Sequence, residues 1–279
     1  MTSTHPARTS RKTEKVVVLA RGLGTRMRQS DQTGNLASRE QAVVRTGVKA
    51  LIPLDRPFLD YVLSNVAAAG YRKVCLVIGP EHDALRDYYG RQVVTDLLHI
   101  EFAIQHKPRG TADAVASAQS FVGSDTFLAI NSDNYYPVDA LDKLRQLNGA
   151  GLTAFDREHL VDGSNIPTAR IAAFASVVIG PDENLQRIVE KPQGSQIFES
   201  SPWVSMNLWS FTPDIFTACA NITPSPRDEL EITDAVQYAI DHLGIQFRVL
   251  KSRSPVLDLS YPDDIPVVKA RLAGAKVQL

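Results

Sequence analysis

Cysteine is too scarce here for a disulfide framework or a structural zinc site. The two present, Cys75 and Cys219, lie inside the apolar stretches KVCLVIG and IFTACA, where a small buried thiol is ordinary. Neither a Cys-x-x-Cys nor a His-x-x-x-His spacing occurs. Long hydrophobic runs are missing too, and none approaches the roughly 20 residues of a membrane-spanning helix. The opening MTSTHPARTSRKTE lacks the apolar centre of a secretory signal. Residues 1–14 are therefore expected to be a disordered tail on a soluble, cytoplasmic protein that does not engage a membrane. Excess charge of either sign is also absent. Thirty Lys and Arg against 31 Asp and Glu leave a formal net charge of -1, so no global field favours nucleic acid, and any polyanion must be held locally. There is no Gly-x-Ser-x-Gly elbow, and none of the six histidines has a catalytic spacing, which argues against a Ser-His hydrolase.

What is present suits a large α/β core. Hydrophobic residues make up 44% of the 279, enough to fill one large domain or two joined ones. Short β-branched runs recur at 15–20, 73–79, 100–104, 126–131, 171–179, 203–211, 246–250 and 256–259. Helical patterns fall between several of them. Leu59, Val62, Leu63 and Val66 repeat at helical spacing and stop at Gly70; 111–121 is alanine-rich; Ile232, Ala235, Val236, Ala239 and Ile240 form a stripe that ends before Gly244. Such alternation predicts a mostly parallel sheet covered by helices on both faces. From about residue 165 the strands crowd together, predicting antiparallel character. The polar connection 28–48 is long enough to be a lid or binding element and is expected to carry a short helix at Ser38 to Arg45.

Two stretches carry chemistry. The first, VVVLARGLGTRM at 16–27, leaves an apolar strand through Gly22 and Gly24. A dinucleotide fingerprint would need glycine where Met27 stands, and a Walker loop would need Gly-Lys-Ser/Thr; both are missing. Two readings stay open: an ordinary strand-to-helix turn, or a turn whose backbone N–H groups, with Thr25 and Arg26, surround a phosphate chain. The second is FLAINSDNYYP at 127–137, where Asn131, Ser132, Asp133 and Asn134 arrive together at a strand's carboxyl end. In an open parallel sheet that edge is the ligand crevice, and an aspartate there suits Mg²⁺ with phosphate oxygens completing its shell. For Asn134, an Asx turn before the helix near Pro137 competes with substrate contact.

In order, LARGLGTRM, KALIPL, QHKPRGTADAV, NSDN, VEKP, ELEITDAV and VLDLSYPDDI resemble the sugar-1-phosphate nucleotidylyltransferases over residues 15–268. That resemblance implies a Rossmann-like, mixed but mostly parallel sheet flanked by helices, with a smaller sugar-binding lobe. One catalytic domain would cover 15–279, its nucleotide-binding half at 15–150 and its sugar-phosphate half at 151–279. The implied reaction joins an NTP to a sugar or cyclitol 1-phosphate, releasing pyrophosphate, with Mg²⁺ as cofactor. By matched position, Ala20, Arg21, Gly22, Gly24, Thr25, Gln105, Gly110 and Thr111 would meet the nucleotide, Gln105 reading the base and Gly110 allowing the nucleoside close approach. Arg26, Lys49, Asp133 and Lys191 would be catalytic, and Asp133 and Asp258 would hold the metal. Asn134, Glu190, Lys191 and Asn207 would bind the sugar phosphate.

Three departures qualify the resemblance. Arg21 stands where the family usually has Ala or Gly, so it would stack on the base, pair with a phosphate or obstruct the pocket. The 27–48 connection is longer than usual. No hexapeptide repeat of a β-helix occurs, so acetyltransferase-fused relatives are expected to be poor models. Rival readings are a glycosyltransferase using Ser132-Asp133-Asn134 on an NDP-sugar, and a non-catalytic subunit that senses sugar nucleotides. Trp203, Trp209, Phe211 and Phe216 read as core, His82 as a helix-start residue, and Glu229 with Glu231 as a solvated helix start. Arg170 is expected on a surface strand or against a phosphate. The base, the sugar and any homo-oligomer stay open.

Overall fold

A computed structural model describes residues 12–22, 24–28, 38–147, 149–190 and 201–279, except for the Arg39 side chain. The expected tail lies outside these up to residue 11. Its last residues are ordered: Thr13 is buried, and the Glu14 carbonyl accepts from the Arg72 and Lys73 N–H groups.

The central sheet begins with β1 (Lys15–Leu19), whose interior residues are buried on both faces, as a parallel strand between covering helices should be. Its register pairs it with β2 (Lys73–Ile78) on one side and β4 (Phe127–Asn131) on the other, both parallel. β3 (His99–Ile104) extends the sheet beyond β2. On the far side β9 (Trp203–Phe211) runs antiparallel between β4 and β6 (Gly151–Asp156), and β10 (Arg248–Ser252) closes the order β10-β6-β9-β4-β1-β2-β3. The antiparallel hairpin of β7 (Ala175–Ile179) and β8 (Leu185–Val189) hangs from β9, and a separate ladder joins β5 (Asn134–Tyr135) to β11 (Leu257–Asp258). Both expected halves thus contribute strands to one sheet, and the predicted mixed, mostly parallel architecture is borne out.

Alternation along β1 explains the two cores. Val16 and Val18 join the cluster under α3 (Phe58–Ala68), α7 (Val138–Gln146) and α12 (Asp264–Leu272). Val17 joins the opposite cluster, with α5 (Thr111–Ser117), α10 (Ile215–Asn221) and α11 (Ile232–Leu243). The remaining described α-helices are α1 (Thr25–Arg28), α2 (Ser38–Thr46), α4 (Asp83–Asp87), α6 (Gln119–Val122), α8 (Arg157–Gly163) and α9 (Thr168–Ile171). Among the described residues, no helix is long and apolar enough to cross a membrane.

The predicted strand at 171–179 starts only at Ala175. Pro167, with φ of -60° at the N-cap of α9, starts a helical turn, and the alanine-rich IAAFA offers little β-branched surface to resist it. β6 and β8 have no counterpart among the predicted strands, because GLTAFD and LQRIV carry few β-branched residues.

Candidate active site

Crossovers leave β1 towards β2 on one side and reach β4 on the other, so the strand order reverses between β1 and β4. In an open α/β sheet, ligand crevices open at the carboxyl ends of such a pair. A cavity of about 470 Å³ lies there. Every residue expected at the site lines it, except Lys191, which lies outside the described residues.

The turn after β1 is held by its surroundings. Gly24 has φ of +59°, and a Cβ on it would come within 2.6 Å of the Gly47 Cα, so both its backbone conformation and its neighbour demand glycine. Gly22 differs, since a Cβ there would meet nothing within 4 Å. Gly24→Ala is accordingly expected to cost about 2 kcal/mol or more through left-handed strain and overpacking. Gly22→Ala should melt like the wild type, and a thermal melt of both variants checks the contrast. Thr25 and Arg26 open α1 as exposed side chains, with the Arg26 guanidinium carbon 6.0 Å from the Tyr261 ring centre.

Arg21 does not project freely into the cavity. Its guanidinium forks onto both carboxylate oxygens of Glu81 at 3.3 Å and donates to the Gln105 carbonyl. These bonds make Arg21, which also lines the cavity, a clamp joining the ends of β1, β2 and β3, a role outside the expected stacking, phosphate pairing and obstruction. Ala20, immediately before it, donates its N–H to the Val77 carbonyl at 2.9 Å and is buried.

Opposite the turn, Asp133 follows β4 and Asp258 sits on β11. The β5–β11 ladder sets Asp258 against Asn134, and Leu259 N–H donates to the Asp133 carbonyl at 2.8 Å, so two acids far apart in sequence become neighbours. Asn165 grips Asp258 from behind, accepting from its N–H at 2.8 Å and donating to its carbonyl at 2.7 Å. Lys49 reaches the pair and donates to Asp133 Oδ2 at 2.8 Å. Burial alone would lower the Lys49 pKa, but Asp133 and Asp258 together outweigh it and hold the ammonium above its ordinary value. Asp258 is pushed up to about 6, first by burial and then by the Asp133 charge, against the opposing pull of Arg170, Ser260 and Lys49.

Arg170 belongs to α9, not to a surface strand. It forks onto Asp264 at 2.9 and 3.0 Å and lies 3.5 Å from Asp258 Oδ1. That oxygen is buried and has no hydrogen-bond partner. Two neighbouring aspartates that both line the cavity, one of them with a buried oxygen lacking a hydrogen-bond partner, are a donor set that fits a hard divalent cation. Asn134 is buried, and its amide donates to Asp258 Oδ2 at 2.9 Å. It therefore orients an aspartate and does not cap α7, whose N-cap is Pro137.

At the other end of the cavity Gly110, with φ of +118°, precedes α5. A Cβ there would meet the Leu230 backbone N at 2.6 Å, so the close approach it permits is that of another chain segment. The Thr111 hydroxyl accepts from Ile232 N–H at 2.8 Å, at the start of α11. Asn207 adopts φ of +56° in mid-strand, where the β6–β9 register shifts, and its Oδ1 accepts from Trp209 Nε1 at 3.2 Å. Among non-glycine residues asparagine tolerates this conformation best, and such outliers gather at ligand sites.

Glu231 was expected on a solvated helix start, yet it is 7% exposed and lines the cavity. Burial raises its pKa to about 7 against the pull of Arg227, with Glu229 and Glu190 adding to the rise. Arg227 ion-pairs with Glu231 and lies 3.8 Å from Glu190. Sequence reasoning passed over Arg227, although its place as a lone cation two residues before ELEITDAV was a usable signal. The core reading of Trp209, Phe211 and Phe216 agrees with their burial, and His82 stands at the N-cap of α4.

This chain is similar to known proteins. The family model described as nucleotidyl transferase matches residues 15–254. A glucose-1-phosphate thymidylyltransferase of Streptomyces griseus is 32% identical over 228 residues, covering 81% of this chain and 57% of that protein. The UTP–glucose-1-phosphate uridylyltransferase AglF of Haloferax volcanii is 25% identical over 266 residues, covering 95% and 98%. The chain spans about half the length of several of the curated relatives it matches, 57% for the Streptomyces protein and 47% for a GlmU of Methanococcus vannielii. In three dimensions, a UDP-glucose pyrophosphorylase complexed with UDP-glucose superposes with a TM-score of 0.74 at 17% identity, covering 95% of this chain and all of that one (100%). The likeness establishes the fold.

Proposed function

The chain belongs to the nucleotidyl transferase family, and from the geometry of its cavity we propose that it joins an NTP to a sugar or cyclitol 1-phosphate. The products would be an NDP-sugar, or its cyclitol counterpart, and pyrophosphate. The observation that carries this reading is the meeting of four separate segments at one sheet edge: the glycine turn, Lys49, Asp133 and Asp258 all line the same cavity.

The chemistry asks for little beyond charge and alignment. A phosphate monoester has its second pKa near about 6, so the sugar phosphate arrives largely as a dianion and needs no general base. Its oxygen would attack the α-phosphorus of the NTP while the bond to the bridging oxygen breaks, and pyrophosphate leaves with that electron pair. Repulsion between two anions is the obstacle, and Arg26, Lys49 and Arg227 supply positive charge along the cavity. Gly22 leaves backbone open to a phosphate chain. Asp133 and Asp258 would hold Mg²⁺, which supplies further charge neutralisation and orientation when bound. Asn134 and Asn165 fix Asp258, Glu190 and Asn207 would meet sugar hydroxyls, and Lys191 would join them from the segment outside the described residues.

The test is a matrix of ATP, GTP, CTP, UTP and dTTP against several sugar and cyclitol 1-phosphates, with pyrophosphate detected and EDTA as control. Pyrophosphate release that depends on both substrates and stops with EDTA is expected. Glycosyl transfer from an NDP-sugar without consumption of free NTP would overturn the proposal, as would tight nucleotide binding without turnover across the matrix.

A further inference from the structure

The side-chain amide of Gln105 is held by two acceptors. Its Nε2 donates to Asp113 Oδ2 at 2.8 Å and to the Gly110 carbonyl at 3.1 Å. A carboxylate and a carbonyl accept here, so both N–H bonds point at them whichever way the amide is drawn. Among the described residues nothing donates to Oε1, and it is not one of the polar atoms sealed in the interior without a partner. Gln105 lines the cavity, so this oxygen is the group it offers there. The backbone is held as well, because Arg21 donates to the Gln105 carbonyl while gripping Glu81. Among the described residues Asp113, in the first turn of α5, is the one carboxylate bonded to the Gln105 amide.

A free glutamine presents a donor and an acceptor and suits either kind of base edge. We propose that Asp113 is a specificity-determining positioning residue. By taking one amide N–H while the Gly110 carbonyl takes the other, it leaves Gln105 an acceptor alone, which selects NTPs whose base carries a ring N–H at that edge. Uracil, thymine and guanine have such an N–H between two ring substituents. Cytosine and adenine carry a bare ring nitrogen in its place, and lone pair would meet lone pair. A site with a fixed acceptor rejects the wrong edge by leaving two buried polar atoms unpaired. The proposal rests on the transferase reading of the cavity.

Equilibrium binding provides the test, because it does not require turnover. UTP against CTP and GTP against ATP compare equal ring sizes that differ at this edge. The wild type is expected to favour UTP over CTP, or GTP over ATP, in whichever ring size the cavity accepts. Asp113→Asn is nearly isosteric and can donate to Oε1, which frees the Gln105 amide to turn. It should shrink that ratio by about tenfold or more, with a thermal melt confirming the fold. Should Asp113→Asn not fold, Gln105→Met deletes the acceptor and must collapse the same ratio. A ratio unchanged within about twofold, equal weakening of both members of a pair, or a wild-type preference for CTP or ATP overturns the proposal. NTP binding with the expected ratio but no pyrophosphate release from any sugar or cyclitol 1-phosphate would sink the transferase reading and leave the role of Asp113 supported. Failure to bind any NTP would sink both.

Discussion

Lys49→Met is expected to lower kcat for pyrophosphate release by about 10²–10³-fold, the usual loss when one preorganised charge facing the reacting phosphates is removed. Lys49 ties the two acids of the site together: its ammonium is bonded to Asp133, and it feels the charge of Asp258. Methionine keeps the length and the apolar stem, so packing around the short helical turn Lys49–Leu51 should survive. What disappears is the cation between two acids. The side chains of Lys49 and Asp133 are 16% and 23% exposed, so the pair is neither a surface pair nor fully dry. A destabilisation of about 1–2 kcal/mol is therefore expected, below the cost of breaking a fully buried pair. Steady-state kinetics and a thermal melt measure the two effects separately. A variant within about tenfold of wild-type kcat would remove Lys49 from the catalytic set, since a preorganised donor costs more than that when lost.

Lys49 also shows what could be read from the chain and what could not. The strand before the glycine turn, the polar cluster after Ile130 and the helix ending at Gly70 were legible, because each is a local change in residue type at a local boundary. β9 was legible for the same reason, as an unbroken run from Trp203 to Phe211. Pairings across the chain were not legible in any local pattern, and the meeting of Asp133 with Asp258 was expected only from the family resemblance. Nothing near residue 258 announces that it will lie against Asn134, 124 positions away. Nor does Gly110 announce that its missing Cβ makes room for Leu230, or Arg21 that its partner is Glu81. Periodicity reports how deeply a residue is buried, not which segment crosses it. Glu231 failed even that test, because a helix-start glutamate ordinarily faces water and this one is covered by the site. Arg21 is the clearest case, since residue type alone left three roles open and the structure supplied a fourth.

The same separation of local from long-range causes makes Asp258→Asn informative, because stability and activity are expected to move in opposite directions. Asp258 has its folded-state pKa raised to about 6 from an ordinary 3.8. A raised carboxyl favours folding while it is protonated. That contribution is fully present below the unfolded value and is lost as pH climbs through about 6, so metal-free protein should weaken across roughly pH 4 to 6 from this group. That rise corresponds to about 3 kcal/mol of unfavourable ionisation at neutral pH. Asparagine cannot ionise, keeps the shape, and leaves Arg170 its fork onto Asp264. In EDTA at pH 7.5 or so, the variant should therefore melt at or above the wild-type temperature, and the pH 4 to 6 slope should flatten. Turnover with Mg²⁺ should meanwhile fall by about 10³-fold, the scale on which removal of a charge at a phosphoryl-transfer site is felt. That combination is the one expected of a residue that costs the folded state energy and serves binding instead. A variant that melts well below the wild type and yet turns over normally would mean that Asp258 serves the fold through its ladder with Asn134, and that the second carboxylate of the site lies elsewhere.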